Sequence, residues 1–184
     1  DVDMIVGTEL AVEHLLELGH RSLMLIRPGK PDTGSRPRDR RSQGIHKTLK
    51  RFKRDDIHME YLLPATPNFD DVYDAMRRRC AKGNVPTGIL GSNDHTAATA
   101  MAAMIDAGLR VPDDVSIIGF DNTRYATIVR PALTTVAQTH LNLGRRAIET
   151  VISAIRNPDP KPTCITLAPE LVVRASTGPA PIRS

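Results

Sequence analysis

The chain has 184 residues, 40% hydrophobic and 25% charged, an ordinary composition for a soluble globular protein of one large domain or one and a half small ones. Its 25 Lys and Arg against 21 Asp and Glu leave a net charge of +4, too small to argue a nucleic-acid surface. No apolar run is long enough to span a membrane, DVDMIVGTEL does not read as a signal peptide, and Cys80 and Cys164 have no CxxC partner, so two reduced thiols in a cytosolic protein are expected.

In chain order, Thr8 to Leu18 has the spacing of a helix with Leu10, His14, Leu15 and Leu18 on one side and Gly19 as its stop. Ser22 to Ile26 is a short apolar strand. Lys30 to Arg38 is a polar loop. Asp39 to Arg54 follows as a helix, with Ile45, Leu49 and Phe52 inward and a basic outer face. Ile57 to Leu63 is a strand, and Asp70 to Lys82 a helix turning Val72, Ala75, Met76 and Arg79 to one side. Thr87 to Gly91 is a strand of small and apolar residues. Asn93 and Asp94 stand where one of them caps the Ala- and Met-rich helix His95 to Ala107, which Gly108 ends.

Val115 to Phe120 is an unbroken apolar run of the kind that makes a strand covered on both faces, and it ends in Asp121. That aspartate reads equally as a turn residue and as a ligand group. Leu133 to Val136 is a further strand and Leu141 to Ile155 an amphipathic helix, apolar at Leu141, Ile148, Val151, Ile152 and Ile155. A broken strand, Cys164 to Leu167 and Leu171 to Val173, is interrupted by Pro169, and a Pro-rich tail from 179 to 184 is expected to fray.

Strand and helix alternate with short connections, the pattern of an α/β protein with a doubly wound parallel sheet and helices on both faces. In the flavodoxin-like strand order the switch point falls between Ser22–Ile26 and Thr87–Gly91. Arg27, Ser92-Asn93-Asp94 and Asp121-Asn122 then converge on one crevice. The cluster Arg36, Arg38, Arg40 and Arg41 has three readings: a solvated loop, a nucleic-acid contact, or an inward fork for an oxygen-rich ligand. Six scattered histidines lack metal-ligand spacing, no nucleophile can be assembled with a base and an orienting group, and no cofactor motif is present.

The stretches VPDDVSIIGFDN, RPALTTVAQ, LNLGRRAIETVI and LVVRAST strongly resemble, in this order and spacing, the C-terminal part of the lactose-repressor/galactose-repressor family. Three earlier segments are similar as well: AVEHLLELGHRSLMLI, Arg41-Ser42-Gln43-Gly44-Ile45 with Ile in an aromatic place, and Pro86-Thr87 through Ser92-Asn93-Asp94. The resemblance implies a transcription regulator rather than an enzyme, with the periplasmic-binding-protein type I fold. In that fold two α/β lobes are joined by three crossings and a small effector, often a sugar or nucleobase, binds between them.

Carried over position by position, Arg41, Asn93 and Asp121 match effector-contacting places, Asp3 falls at the first crossing, and Phe69 lies near an aromatic wall. The resemblance assigns 3–136 and 169–178 to the C-terminal lobe and 138–167 to a remnant of the N-terminal lobe. It expects the fold to be truncated at its N-terminus, with operator DNA bound through a headpiece absent from this chain. It also implies a cytoplasmic homodimer, with the Ala- and Met-rich helix suited to pack against a two-fold partner in preference to lying in the core. A transport-type periplasmic sugar-binding protein is the alternative.

Overall fold

A computed structural model of the chain describes residues 2–29, 39–52, 56–138, 140–156 and 166–182. Helix α1 (Met4–Glu17) leads to β1 (Ser22–Ile26), followed by α2 (Arg40–Phe52), β2 (His58–Leu62), α3 (Phe69–Ala81) and β3 (Gly88–Gly91). Then come α4 (Asp94–Asp106), β4 (Ser116–Phe120), α5 (Arg124–Ile128), β5 (Thr134–Ala137), α6 (His140–Arg156) and β6 (Glu170–Val172). The sheet order is β2-β1-β3-β4-β5-β6, with β6 antiparallel to β5 and every other pair parallel. The order reverses between β1 and β3, so the doubly wound topology and its switch point stand as expected.

Strand residues alternate between two cores, because successive side chains of a strand point to opposite faces. Met24, Ile26, Ile89 and Ile117 meet Val72, Met76, Met101 and Met104 of α3 and α4. Leu23, Leu25, Leu90, Ile118 and Phe120 meet Val12, Leu15 and Ile45 of α1 and α2. Each such side chain, fully buried, stabilises the fold by roughly 1.5–3 kcal/mol. On the second face α1 and α2 approach closely. A Cβ on Gly44 would lie 2.7 Å from the Ile5 carbonyl oxygen and from the Thr8 Cβ, so only glycine allows that crossing.

Several expectations shift. α1 begins at Met4 rather than Thr8, because Asp3 caps it by accepting from the Ile5 and Val6 amides. Its buried face is Thr8, Ala11, Val12, Leu15 and Leu16, whereas Leu10, His14 and Leu18 are only half-buried. The helix lies over both a sheet and α2, and those two contacts together rotate the buried stripe. Phe52 is exposed at the end of α2. The short α5 falls in a stretch read only as loop. Of α4, 9 of 13 residues are buried against the sheet and α3, so the Ala- and Met-rich helix is first of all a core helix. Residues 157–165, with Cys164 and Ile165 of the broken strand, lie outside the described residues, as do Arg36 and Arg38; Leu167 makes a single parallel bridge to Val2.

Hydrogen bonds tie the chain down from Ser176 to Ala180, at the start of the segment expected to fray. Ser176 Oγ accepts from the Thr134 amide at 2.8 Å and donates to the Ile117 carbonyl at 2.6 Å, and the Ala180 amide donates to the Leu18 carbonyl at 2.8 Å. His20, fully buried, stands at the centre of this latch. Its Nε2 lies 3.1 Å from the Gly178 carbonyl and 3.0 Å from Ser116 Oγ, and its Nδ1 lies 2.9 Å from Thr87 Oγ1. A carbonyl can only accept, so Nε2 carries the proton and Nδ1 accepts a hydrogen bond from the Thr87 hydroxyl.

Burial holds the His20 pKa below the ordinary 6.5, and His14 and Arg21 push it the same way against the Gly178 carbonyl. Protonation therefore favours the unfolded chain. The stabilisation is complete above pH 6.5 and is lost as the pH falls through the lower folded value, at up to about 1.4 kcal/mol per pH unit. Urea unfolding followed from pH 7.5 to 5 is expected to show a shallower fall in stability for His20→Gln than for wild type. Equal slopes would remove His20 from the account.

Candidate functional site

The carboxyl ends of β1, β3 and β4 come together at the switch point, and each delivers a polar group. After β1, Arg27 Nε pairs with Asp39 Oδ2 at 3.2 Å. Asp39 also receives the Arg41 amide at 2.9 Å, the Ser42 amide at 3.2 Å and a short bond from the Ser42 hydroxyl. The carboxylate thus caps α2 and ties its first turn to the end of β1. That first turn lays the Arg41 guanidinium over the Phe120 ring, 5.0 Å from its centroid, a cation–π contact.

Arg41 is half-buried, and its buried Nε has no hydrogen-bond partner among the described residues. Burial lowers its pKa, while Asp121 and Asp39 oppose that shift; the guanidinium stays charged in either case. A buried donor left unbonded costs about 1–3 kcal/mol, and this one belongs to a guanidinium within electrostatic reach of two carboxylates, Asp121 and Asp39.

After β4, Asp121 and Asn122 take φ values of 96° and 51°, left-handed backbone that non-glycine residues adopt at a cost. The turn is over-determined. The Asp121 amide donates to the Val136 carbonyl at 2.9 Å, Asp121 Oδ1 accepts from Gln138 Nε2 at 2.6 Å, and Asn122 Oδ1 accepts from Arg174 Nη2 at 2.7 Å. Asp121 is therefore a turn residue in backbone and a strand-end carboxylate facing Arg41 in charge.

After β3, Asn93 is the N-cap of α4, its side-chain oxygen accepting from the Thr96 amide at 2.8 Å. Its neighbour Asp94 belongs to the interior. Fully buried, it accepts from the Thr135 hydroxyl and the Thr123 amide, each at 2.5 Å, and from the Thr123 hydroxyl at 3.0 Å. Burial raises its pKa; the Thr135 and Thr123 bonds pull it down, and nearby Asp121 raises it. Gly119 makes room for it, since a Cβ there would collide with Asp94 Oδ1.

Two expected residues stand apart. Asp3 spends its side chain capping α1, and it lies on the side of the sheet from which Met4 Sδ approaches Gln138 Nε2 at 3.4 Å. Phe69 is exposed at the start of α3, stacked on Tyr73 with ring centroids 5.4 Å apart. Arg41 and Asp121 are the pair brought together, with Asn93 one residue from the Asp94 that senses Asp121. Sequence reasoning missed Phe120 as the platform, Asp39 as the cap and Gln138 as Asp121's partner. The signal for Gln138 was a lone amide side chain closing a β-branched strand run.

Residues 12–177 match the periplasmic binding protein-like domain family. The chain belongs to that family, within the lactose-repressor/galactose-repressor regulators. It is 34% identical over 173 residues to the HTH-type transcriptional repressor PurR of Haemophilus influenzae, and 34% identical over 179 residues to that of Yersinia pestis. These alignments take in 92% and 96% of this chain but 50% and 51% of the relatives, so the chain spans about half their length. Among solved structures, a LacI transcriptional regulator from a Rhodococcus species superposes with a TM-score of 0.83 at 28% identity, over 98% of this chain and 65% of that one. A LacI family regulator from Enterococcus faecium with bound ribose gives 0.83 at 27% identity, over 97% and 64%. The CelR–cellobiose complex gives 0.78 at 26% identity, over 96% and 53%.

Asp94 is a structural carboxylate, and its removal is measurable without a ligand. Asp94→Ala strands the Thr123 amide and two hydroxyls; each buried group left unpaired costs about 1–3 kcal/mol. The midpoint of chemical denaturation should fall accordingly, and an unchanged midpoint would contradict the network.

Proposed function

We propose that the chain is the effector-binding and dimerisation part of a cytoplasmic transcriptional repressor that senses a small polyhydroxylated molecule, a sugar, with no catalytic step. The observation that carries this reading is the buried Nε of Arg41, unbonded among the described residues, on a guanidinium that senses Asp121 at the switch point. A guanidinium fork donates to a vicinal pair of oxygens, a carboxylate accepts from hydroxyls, and the Asn93 amide adds a group of either kind. Cellobiose and ribose in the complexes of two structural neighbours fit the same chemistry.

Operator contact belongs, on this reading, to a headpiece outside these residues. An effector would act by binding one lobe arrangement better than the other and so shifting the headpieces on paired half-sites. The reading of residues 138–167 as a remnant of the N-terminal lobe is supported by α6, whose Ile148, Val151, Ile152 and Ile155 are all exposed. A homodimer is supported by a separate apolar patch. Tyr125 and Ile128 are exposed on α5, with the His95 ring at the start of α4 edge-on to Tyr125 at 5.2 Å.

A thermal-shift screen of sugars and nucleobases on the full-length protein should find the effector class. Calorimetry with the compound found should then show Asp121→Ala and Arg41→Ala each weakening binding by roughly 1–3 kcal/mol, the cost of an unpaired buried partner. Wild-type affinity in both variants would mean the site lies elsewhere.

The apolar stripe of α6 makes a second prediction. Light scattering on residues 1–184 alone is expected to report species larger than a monomer. A strict monomer with α6 protected from hydrogen exchange would contradict that.

A further inference from the structure

Asp121 is held from behind. Gln138, the last described residue of the β5 segment, donates Nε2 to Asp121 Oδ1 at 2.6 Å, and it stands two residues before α6. A bond of that length to a carboxylate is charge-assisted and stronger than one between neutral groups. The same Nε2 lies 3.4 Å from Met4 Sδ at the start of α1, and there the Asp3 amide donates to the Leu167 carbonyl at 3.1 Å. Three segments distant in sequence, around Val2–Met4, Gln138 and Leu167, therefore meet behind one strand-end carboxylate.

We infer that Gln138 is a positioning residue: it aims the Asp121 carboxylate and carries the occupancy of the strand-end site to the start of α6. The physical reason is competition for one acceptor. Each donor that a ligand brings to Asp121 draws on the charge that holds the Gln138 amide, so binding alters the strength of the Gln138 bond. The turn itself cannot absorb the change. Asp121 is clamped through its amide to Val136, and Asn122 through its side chain to Arg174. Among the described residues Gln138 is a side chain that can respond, and two residues beyond it begins a helix whose Ile148, Val151, Ile152 and Ile155 are exposed. This inference rests on reading Arg41 and Asp121 as the effector site.

The test uses the full-length protein with ribose, cellobiose, lactose, guanine and hypoxanthine as probes, and Gln138→Met, which keeps the side-chain length and removes the donor. Gln138→Asn, which keeps the amide but shortens its reach, serves if the Met variant does not fold. With a probe the wild type binds, Gln138→Met should lower affinity by up to about tenfold, because the carboxylate it no longer aims must be ordered on binding, and that loss outweighs the charge a removed competitor returns to Asp121. It should have no further effect in an Asp121→Ala background, and the ligand-dependent change in hydrogen exchange at residues 140–144 should vanish.

Without any ligand, Gln138→Met and Asp121→Ala should each speed exchange at 140–144 by the same factor, with nothing added in the double variant. Unchanged exchange there overturns the inference whether or not a probe binds. If Asp121→Ala weakens binding while Gln138→Met binds as wild type, or the two effects simply add, the inference falls and the functional reading survives. If a probe binds and Asp121→Ala leaves its affinity intact, the functional reading itself fails.

Discussion

A single buried carboxylate organises the functional edge of the sheet. Asp94 has left water entirely, and ionised groups do so only when their oxygens are matched by donors. Its donors come from two different places: Thr123, beyond the carboxyl end of β4, and Thr135, within β5. To reach them it needs the bare backbone of Gly119. Thr123 pulled onto Asp94 forces the chain to reverse over the two residues between it and Phe120, and these are Asp121 and Asn122, both with positive φ. The strain of the turn is offset by the Asp94 bonds on one side and by Gln138 and Arg174 on the other.

With the turn held in this way, the rest of the crevice follows from strand register and capping. Phe120 belongs to the α1 and α2 face of the sheet, so its ring is available to the first turn of α2. Asp39 fixes that first turn to β1 through Arg27. Arg41 then has one place to lie, over the ring and toward Asp121. Cation and carboxylate are brought close by two separate strand ends, each anchored without the help of the other. A site assembled in this manner does not have to order itself when a ligand arrives, which lowers the entropic cost of binding.

Much of this was legible in the chain. Ser22–Ile26 and Gly88–Gly91 are short apolar runs between turn residues, and the alternation of such runs with amphipathic helices is enough for a parallel sheet and its switch point. Asn93 and Asp121 could be placed at the crevice because strand ends and helix starts are where such sheets bind ligands, whereas Arg41 was singled out by the family resemblance. What could not be read depends on who packs against whom. The buried stripe of α1 is set jointly by the sheet and by α2, whose approach hangs on Gly44. Asp94 and Asn93 look interchangeable as caps until Thr123 and Thr135 are seen to claim Asp94. Gln138 is an unremarkable amide in sequence, because its partner is 17 residues away on another strand.

The two ends of the sheet carry different chemistry, and the difference bears on how a ligand signal could travel. At the amino ends of β3 and β4, neutral hydroxyls, carbonyls and the uncharged His20 close a latch on the tail. Their bonds are internal and saturated, so that end is stiff and insensitive to small ligands near neutral pH. At the carboxyl ends, charged groups meet, with Arg41 Nε unbonded among the described residues, and the chain leaves the sheet there on its way to α6. Binding energy can change the structure only where bonds remain to be made or exchanged. By that criterion the groups proposed to respond to a ligand are few: Arg41, Asp121, Gln138 and the start of α6.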